Sequence, residues 1–344
     1  MKAMLFALFV GLLMVGCGEP DLSDPDRVED ATADAVDLSK LKNRNGVMYL
    51  VNEETPFTGR AESFYEEGQK SGEGNYNGGK MQGLWTLWYE NGQKRKEGNL
   101  KDGKQDGLWT FWHEDGWKEQ EANFEDGKQD GLSTFWHEDG WKKSEGNWKE
   151  DKEDGLYTTW YENGQKKSEG NWKDGKEDGL HTSWQENGQK RKESNYKDGE
   201  QDGLKTWWYE SGQKRKESNY KDGSLEGASE WYESGQKKSE GNWKDGKKDG
   251  AWTLWYENGQ KKSEGPYKDG KQDGLTTAWY ENGDKKWEGN FKGGKLITVV
   301  RWKPNGEKCP VTKVVNGNGV EVRYNDDGTE RYRLTFKDGE LVED

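Results

Sequence analysis

The stretch GLWTLWYENGQKRKEGNLKDGKQD, residues 83–106, decides the fold. Aromatic residues alternate with threonine or leucine between glycine turns, a pattern that predicts two short β-strands joined as a hairpin. The unit recurs along the chain, because the glycine after the aromatic pair returns every 24 residues, with one step of 23. These marker glycines are Gly68, Gly92, Gly116, Gly140, Gly164, Gly188, Gly212, Gly235, Gly259 and Gly283.

A fixed period of this length predicts a repeat architecture. We expect an all-β fold, an elongated single-sheet array of stacked antiparallel β-hairpins with about 24 residues per unit. Residues 46–295 are expected to form the tandem units. Residues 296–344, in which LITVVRW, VTKVV and VEVRY enrich β-branched residues, are expected to form degenerate repeats that cap the open C-terminal end.

The turn at the marker glycine sets the pairing of the two strands. An Asn-Gly pair favours a two-residue type I′ turn, but Ser211 and Glu67 occupy the position before the glycine in two units, and neither tolerates positive φ well. A three-residue loop with a left-handed glycine fits every unit. We therefore predict this loop for the whole array.

The three-residue loop also predicts a register for the hairpin. It opposes Trp88 to Lys94 and Leu84 to Gly98. Leu100 of the second strand would then share a face with Leu84 and Trp88, because directly opposed residues project to the same side of a sheet. We expect this face to carry a continuous aromatic stripe.

The opposite face varies from unit to unit, and it is the predicted partner-binding surface. Positions that recur in every unit are those that stacking demands, whereas variable positions are free to recognise a partner. The candidate binding residues are Trp85, Tyr89, Trp109, His113, His137, Tyr161, Trp207, Tyr209, Trp252 and Tyr256.

Composition excludes several classes of protein. Only 28% of the 344 residues are hydrophobic and 35% are charged, which disfavours an enzyme with one thick core. Twenty Trp, 15 Tyr and 9 Phe supply the apolar surface instead. The net charge of −14 disfavours a nucleic-acid partner and disfavours docking on anionic lipid by charge alone.

No catalytic, cofactor or metal site is predicted. The two cysteines, Cys17 and Cys309, cannot build a disulfide framework and show no zinc spacing. His113 and His137 occupy the same slot of neighbouring units, and we interpret them as replacements for tyrosine rather than as a metal or acid–base pair. Loops such as DGKQDG contain lysine as well as aspartate, which favours turns over calcium sites. Cys309 is expected to be a small buried residue, with an intermolecular disulfide as the alternative.

The N-terminus predicts export and lipidation. Residues 1–17 contain one lysine, an apolar run and a final Leu-Met-Val-Gly-Cys, which resembles a bacterial lipobox with Cys17 as the lipidated residue. Gly18 follows the cysteine, which by this resemblance favours a lipid-anchored protein of the outer membrane or cell surface. Residues 18–45 are acidic and lack aromatic residues, so we expect a disordered tether, with a short helix over residues 26–41 as the alternative.

The repeated GLWTLWYENGQKKSEGNWKDGK pattern resembles the MORN-type repeat, in the bacterial variant of the antitoxin-like YwqK type. The resemblance implies a β-hairpin array used for protein contact. We therefore expect a membrane-anchored bacterial lipoprotein that acts as a non-enzymatic interaction scaffold for an envelope protein. The alternatives are a module that binds envelope glycans or small ligands through exposed Trp and Tyr, and an antitoxin-like neutralising protein.

Overall fold

The computed structural model describes residues 34–325 and 327–342, and its regular structure in these residues is almost entirely β-strand. One sheet contains 27 of the described strands, each hydrogen-bonded to its neighbours, and a separate hairpin contains two more. The predicted all-β array of stacked antiparallel hairpins is therefore confirmed. The predicted signal peptide and Cys17 lie outside the described residues.

The N-terminal end of the sheet is closed by a short segment before the first repeat. Its elements are β1 Val36–Asp37, a 3-10 helix Leu38–Lys40, β2 Leu41–Arg44 and β3 Val47–Leu50. β1 pairs in parallel with β4 (Gly59–Phe64), and β2 pairs with β3. The expected disordered tether is thus wrong for residues 36–44, because composition does not reveal a long-range pairing that covers an edge strand.

The repeat array contains the strands β4 to β25. Each pairs antiparallel with the next, except that β22 and β23 follow one another along the same edge and both pair with β21. After β4 they are β5 Lys70–Asn77, β6 Lys80–Trp88, β7 Lys94–Lys101, β8 Lys104–Trp112, β9 Lys118–Glu125, β10 Lys128–Trp136, β11 Lys142–Lys149, β12 Lys152–Trp160, β13 Lys166–Lys173, β14 Lys176–Trp184, β15 Lys190–Lys197, β16 Glu200–Trp208, β17 Lys214–Lys221, β18 Ser224–Trp231, β19 Lys237–Lys244, β20 Lys247–Trp255, β21 Lys261–Lys268, β22 Lys271–Gln272, β23 Gly274–Trp279, β24 Lys285–Lys292 and β25 Lys295–Arg301.

The turn at the marker glycine is the predicted three-residue loop. The Tyr89 N–H donates to the Gln93 carbonyl at 2.8 Å, and the Gly92 N–H donates to the Tyr89 carbonyl at 3.0 Å. Gly92 has φ +83°, whereas Asn91 is not among the residues with positive φ. The hairpins meet at a second turn of Asp and Gly, where Asp102 has φ +52° and adopts the two-residue geometry that this pair favours.

The predicted register is correct at the turn and wrong beyond it. Trp88 pairs with Lys94 as expected, but a one-residue shift follows, so that Leu84 pairs with Asn99 instead of Gly98. Arg95 is left without a Cα partner, which is the signature of a β-bulge. The bulge moves Leu100 to the face of Trp85, where both side chains pack in one apolar cluster. Equivalent bulges recur in later hairpins.

Two faces of the sheet follow from this register. The nested face carries Trp85, Leu87, Gly98, Leu100 and the equivalent residues of other units. The ladder face carries Leu84, Thr86, Trp88, Glu97, Asn99 and their equivalents.

The C-terminal segment, residues 296–342, begins within β25, the last strand of the array, and contains β26 Lys313–Val315, β27 Asn318–Tyr324, β28 Glu330–Lys337 and β29 Glu340–Val342. Leu296, Val299 and Val314 form its buried apolar cluster, while Leu41, Phe57, Ala61, Tyr76, Trp85 and Trp109 form the cluster at the N-terminal end.

Candidate binding surfaces

Trp85 and Trp109 lie flat on the nested face, each over a glycine of the preceding strand. Trp109 covers Gly98 and donates its indole N–H to the Asn99 carbonyl at 2.9 Å. The two indole residues are only 5% and 3% exposed. The prediction that they offer rings to a partner is therefore wrong, because a missing Cβ beneath each ring lets it pack onto its own sheet.

The same packing of a large side chain over a glycine of the neighbouring strand, which we call a nest, recurs along the array. Tyr157 covers Gly146, His181 covers Gly170 and Trp252 covers Gly241. Where the covering position holds a smaller residue, the partner can carry a Cβ, as in the pairing of Ser133 with Ala122 and of Ala228 with Ser218. Large and small residues thus compensate along the array, which is the packing expected of a dense interior.

The predicted binding tyrosines join consecutive hairpins. The Tyr89 hydroxyl donates to the Trp112 carbonyl at 2.8 Å, and the Tyr161 hydroxyl donates to the Trp184 carbonyl at 2.8 Å. Tyr209 and Tyr256 make the same bond to the next unit. These side chains are half-buried, and their hydroxyls satisfy backbone carbonyls of the array.

His113 and His137 occupy the tyrosine slot, as the sequence predicted. His137 is half-buried, and its Nε2 has no hydrogen-bond partner among the described residues. In the same slot the Gln185 side-chain amide donates to the Tyr209 carbonyl at 3.1 Å. Within residues 34–325 and 327–342, no group of three or more His, Cys, Asp or Glu residues is arranged to hold a metal ion.

Trp207 and the ring of Trp252 are approached by lysines of the same chain. The Lys205 Nζ lies 4.9 Å from the Trp207 ring centroid, and the Lys248 Nζ lies 3.8 Å from that of Trp252. Burial lowers the pKa of Lys205. These cation–π contacts take up ring surface that the sequence assigned to a ligand.

On the ladder face, charged side chains link each hairpin to the next. The Lys94 Nζ pairs with Glu97 and lies 5.7 Å from the ring centroid of Trp112. The Thr86 hydroxyl donates to Glu97 at 2.9 Å. Partial burial opposes ionisation of Glu97, but the bonds from Lys94 and Thr86 outweigh it and lower its pKa. Lysine–glutamate pairs with the same spacing recur in later units.

A row of exposed leucines also lies on the ladder face, and sequence analysis did not identify it as a surface. Each leucine pairs with an asparagine, as Leu84 does with Asn99. The six members from Leu84 to Leu204 are each separated from the next by two strands, about 10 Å, whereas Leu275 lies three repeats beyond Leu204. Their exposed fractions lie between 44% and 57%. The Leu row comprises Leu84, Leu108, Leu132, Leu156, Leu180, Leu204 and Leu275.

Two indoles are the most exposed aromatic side chains of the array. Trp117 and Trp141 are 54% and 58% exposed, and each directly follows a marker glycine in an HEDGW turn. Other units place glutamine there, as at Gln93. The Trp117 ring lies beside Gly140 of the next turn. The replacement of glutamine by tryptophan in the two HEDGW turns is the sequence signal of this exposed pair.

Cys309 is buried, as expected, and is a free thiol. The Tyr324 hydroxyl donates to its Sγ at 2.8 Å, and the Thr312 N–H lies 3.3 Å from the same atom. Burial raises the pKa of Tyr324 to about 12.

The repeats match a known family. A family model described as a MORN repeat variant matches nine segments that together cover more than half of the chain. The protein belongs to the MORN repeat variant family. The matched segments are residues 57–77, 81–102, 105–126, 129–150, 153–174, 177–198, 201–222, 226–245 and 248–269.

Solved structures resemble this MORN repeat protein only weakly. The crystal structure of TcdB2-TccC3-TEV is 11% identical over 78% of this chain, with a TM-score of 0.19. The Photorhabdus luminescens Tc holotoxin pore is 11% identical over 76%, also with a TM-score of 0.19. The chain covers 16% of each of those chains, and no curated protein matches it. Among the described residues, no helix has the length and apolarity needed to cross a bilayer.

Proposed function

We propose that this MORN repeat protein is a lipid-anchored, non-enzymatic scaffold of the bacterial envelope that binds an extended protein partner along its Leu row. The repeat family supports a binding scaffold. We choose this surface because half-exposed leucines recur at the same position of the ladder face.

The Leu row suits a protein partner because it is apolar, periodic and framed by charge. Because each leucine is already about half-buried, covering the rest of its side chain would stabilise a complex by roughly 1 kcal/mol before the costs of association. Leu132 is flanked by Asn123, whose side-chain amide donates to the Leu132 carbonyl at 2.9 Å. The Lys142–Glu145 pair lies on the same face. A partner with apolar side chains about 10 Å apart would therefore meet an apolar centre and a polar surround.

Cross-linking in intact cells tests the surface. A photo-reactive amino acid at Asn123, in the full chain, should give a discrete adduct with an envelope protein. The triple change Leu108→Ser, Leu132→Ser and Leu156→Ser should abolish the adduct. The matched control Val315→Ser removes a similarly exposed apolar residue elsewhere, and the adduct should persist. An adduct that survives the triple change would exclude the Leu row.

The membrane anchor rests on the sequence before residue 18. The apolar run and the lipobox-like ending at Cys17 support lipidation, and an acylated cysteine with two or more chains gives stable attachment. Full-length protein should partition with membranes. Either Cys17→Ala or globomycin, which blocks lipoprotein signal peptidase, should alter that partition, and an unchanged partition would reject the lipid anchor without affecting the Leu-row proposal.

A second candidate function is glycan binding at Trp117 and Trp141. Their exposed rings lie at consecutive turns, about 10 Å apart, and stacking on sugar rings is a use that suits such surfaces. Titration with envelope glycans should then give a saturable shift in tryptophan fluorescence. The double change Trp117→Gln and Trp141→Gln restores the residue found in other units and should remove the shift. A shift retained by that variant would reject this site.

A further inference from the structure

A cavity of about 700 Å³ lies where the end of the array meets the C-terminal segment, and residues of β24, β25, β27, β28 and β29 line it. Its volume falls within the range of small-molecule sites. Trp287, Phe291, Leu296, Val299 and Phe336 form an apolar wall. All five residues belong to the apolar cluster of the C-terminal segment, so the wall is a preformed part of the fold.

The charged groups of the cavity are mainly basic. Four basic side chains and two acidic ones line it. The side chain of Glu321, one of the lining residues, is 4% exposed and pairs with Arg301, whose side chain is 7% exposed. The opposite charges of Arg301 and Glu321 cancel. The remaining guanidinium groups therefore set the sign of the potential in a chain whose net charge is −14.

Arg323 and Arg331 flank Tyr332, and all three residues line the cavity. Arg323 donates through Nη1 to the Tyr332 hydroxyl at 3.2 Å and through Nη2 to Glu321 at 3.3 Å. Its Nε is buried and has no acceptor among the described residues. The Arg331 guanidinium lies 5.5 Å from the Tyr332 ring centroid. The pKa of Tyr332 is lowered, chiefly by the hydrogen bond from Arg323, as a positive environment requires.

We propose that this cavity binds a small organic anion in which a carboxylate is attached to an aromatic or other flat apolar body. A guanidinium presents paired donors that match the two oxygens of a carboxylate, and the guanidiniums of Arg323 and Arg331 lie 5.6 and 5.5 Å from the Tyr332 ring centroid. The apolar body would lie against Trp287 and Phe336. The site is separate from the Leu row, so neither proposal depends on the other.

Isothermal titration of the full chain with 2-naphthoate tests the site, with uncharged 2-naphthamide as the control ligand. Naphthoate should bind saturably with one site, and the amide should bind at least tenfold more weakly, because it lacks the charge that the guanidiniums recognise. Arg323→Gln and Arg331→Gln should each weaken naphthoate binding about tenfold or more.

Arg333→Gln is the matched variant, since Arg333 lies on β28 with Arg331 and does not line the cavity, and its ion pair among the described residues is with exposed Glu330. It makes the same change in net charge and should leave binding unchanged. Equal affinity for acid and amide, no saturable binding up to millimolar naphthoate, or equal losses in the Arg333 and Arg323 variants would each overturn the proposal. Circular dichroism of each variant checks that the sheet persists.

Discussion

The repeat array and the C-terminal segment use charge in opposite ways. In the array, pairs such as Lys166 with Glu169 are partly exposed and repeat from unit to unit. In the C-terminal segment, the pair of Arg301 and Glu321 is almost completely buried and has no repeated counterpart among the described residues. The array can therefore lose one such ion pair with little effect, whereas loss of either partner of the Arg301–Glu321 pair would leave a charge buried in the C-terminal segment.

The apolar packing also differs between the repeat array and the C-terminal segment. The array packs large side chains such as Trp109 over glycines of the neighbouring strand, so each contact involves adjacent hairpins only. The C-terminal segment packs Leu296, Val299 and Val314 into one cluster across several strands. A stack with nearest-neighbour contacts gains stability additively, while a segment with one cluster should be lost as a unit.

The largest expected effect comes from breaking the buried pair. Glu321→Ala should destabilise the C-terminal segment by about 3–5 kcal/mol, because it leaves the Arg301 charge buried without its partner. Glu169→Ala, which removes an exposed array pair, should cost less than about 1 kcal/mol. Hydrogen exchange measured on peptides from residues 296–342 distinguishes the two. Equal losses of protection would remove the contrast between the regions.

Next in size is the nest beneath Trp109. A Cβ at residue 98 would lie 2.4 Å from the indole, so Gly98→Ala should cost about 1–3 kcal/mol in a denaturant titration. Gly227→Ala is the matched control, because its Cβ meets nothing closer than 3.6 Å, and it should be neutral or slightly stabilising.

A double-mutant cycle isolates this contact. In a Trp109→Ser background, Gly98→Ala recreates the natural pairing of Ser133 with Ala122 and should cost almost nothing. The same cost in both backgrounds would show that the ring is not what excludes a side chain at residue 98.

A third test addresses the turn of the array. Gly164→Val should cost about 1–2 kcal/mol, since Gly164 has φ +80° and a β-branched residue is strained there. Gly164→Asn should cost less, because asparagine tolerates the left-handed conformation better. Thermal denaturation of the two variants gives the order, and the reverse order would contradict the turn assignment.

The smallest effect concerns pH. Burial opposes ionisation of Glu73, but hydrogen bonds from Lys70 and Arg60 outweigh it and lower its pKa. The ionised Glu73 therefore contributes stability above the ordinary glutamate pKa of about 4.3. This contribution, less than about 1 kcal/mol, is lost as pH falls through the lowered pKa of Glu73.

The contribution of Glu153 to stability should depend on pH in the opposite direction. Burial raises its pKa, so its carboxyl should favour the folded state less as pH rises. Urea titrations between pH 3 and 7 on Glu73→Gln and Glu153→Gln should shift the pH dependence in opposite directions. Shifts of the same sign would contradict these assignments.

The sequence was sufficient for the features that depend on local chemistry. The 24-residue period, the glycine turns and the pairing of Trp88 with Lys94 followed from residue types and spacing. The bulge at Arg95 did not, because an arginine on an exposed strand gives no signal of an extra residue. That one shift moved Leu100 to the other face and left Leu84 exposed.

Burial of the candidate binding residues was equally hidden. Trp109 and Gly98 are distant in sequence and meet only because they lie opposite one another on neighbouring strands. The pairing of β1 with Ala61 and the pairing of Arg301 with Glu321 also join residues distant in sequence. Each such contact depends on register and topology, which composition does not determine.

The nest between Gly98 and Trp109 has a consequence for how such a chain can change by duplication or deletion. The glycine belongs to residues 83–106, and the ring that covers it belongs to the next unit. Loss of residues 83–106 would bring Trp109 against Gly74, a glycine that already accommodates an indole. Loss of residues 107–130 would bring Ser133 against Gly98 and leave a void. The units look interchangeable in sequence, but their junctions make some rearrangements far more tolerable than others.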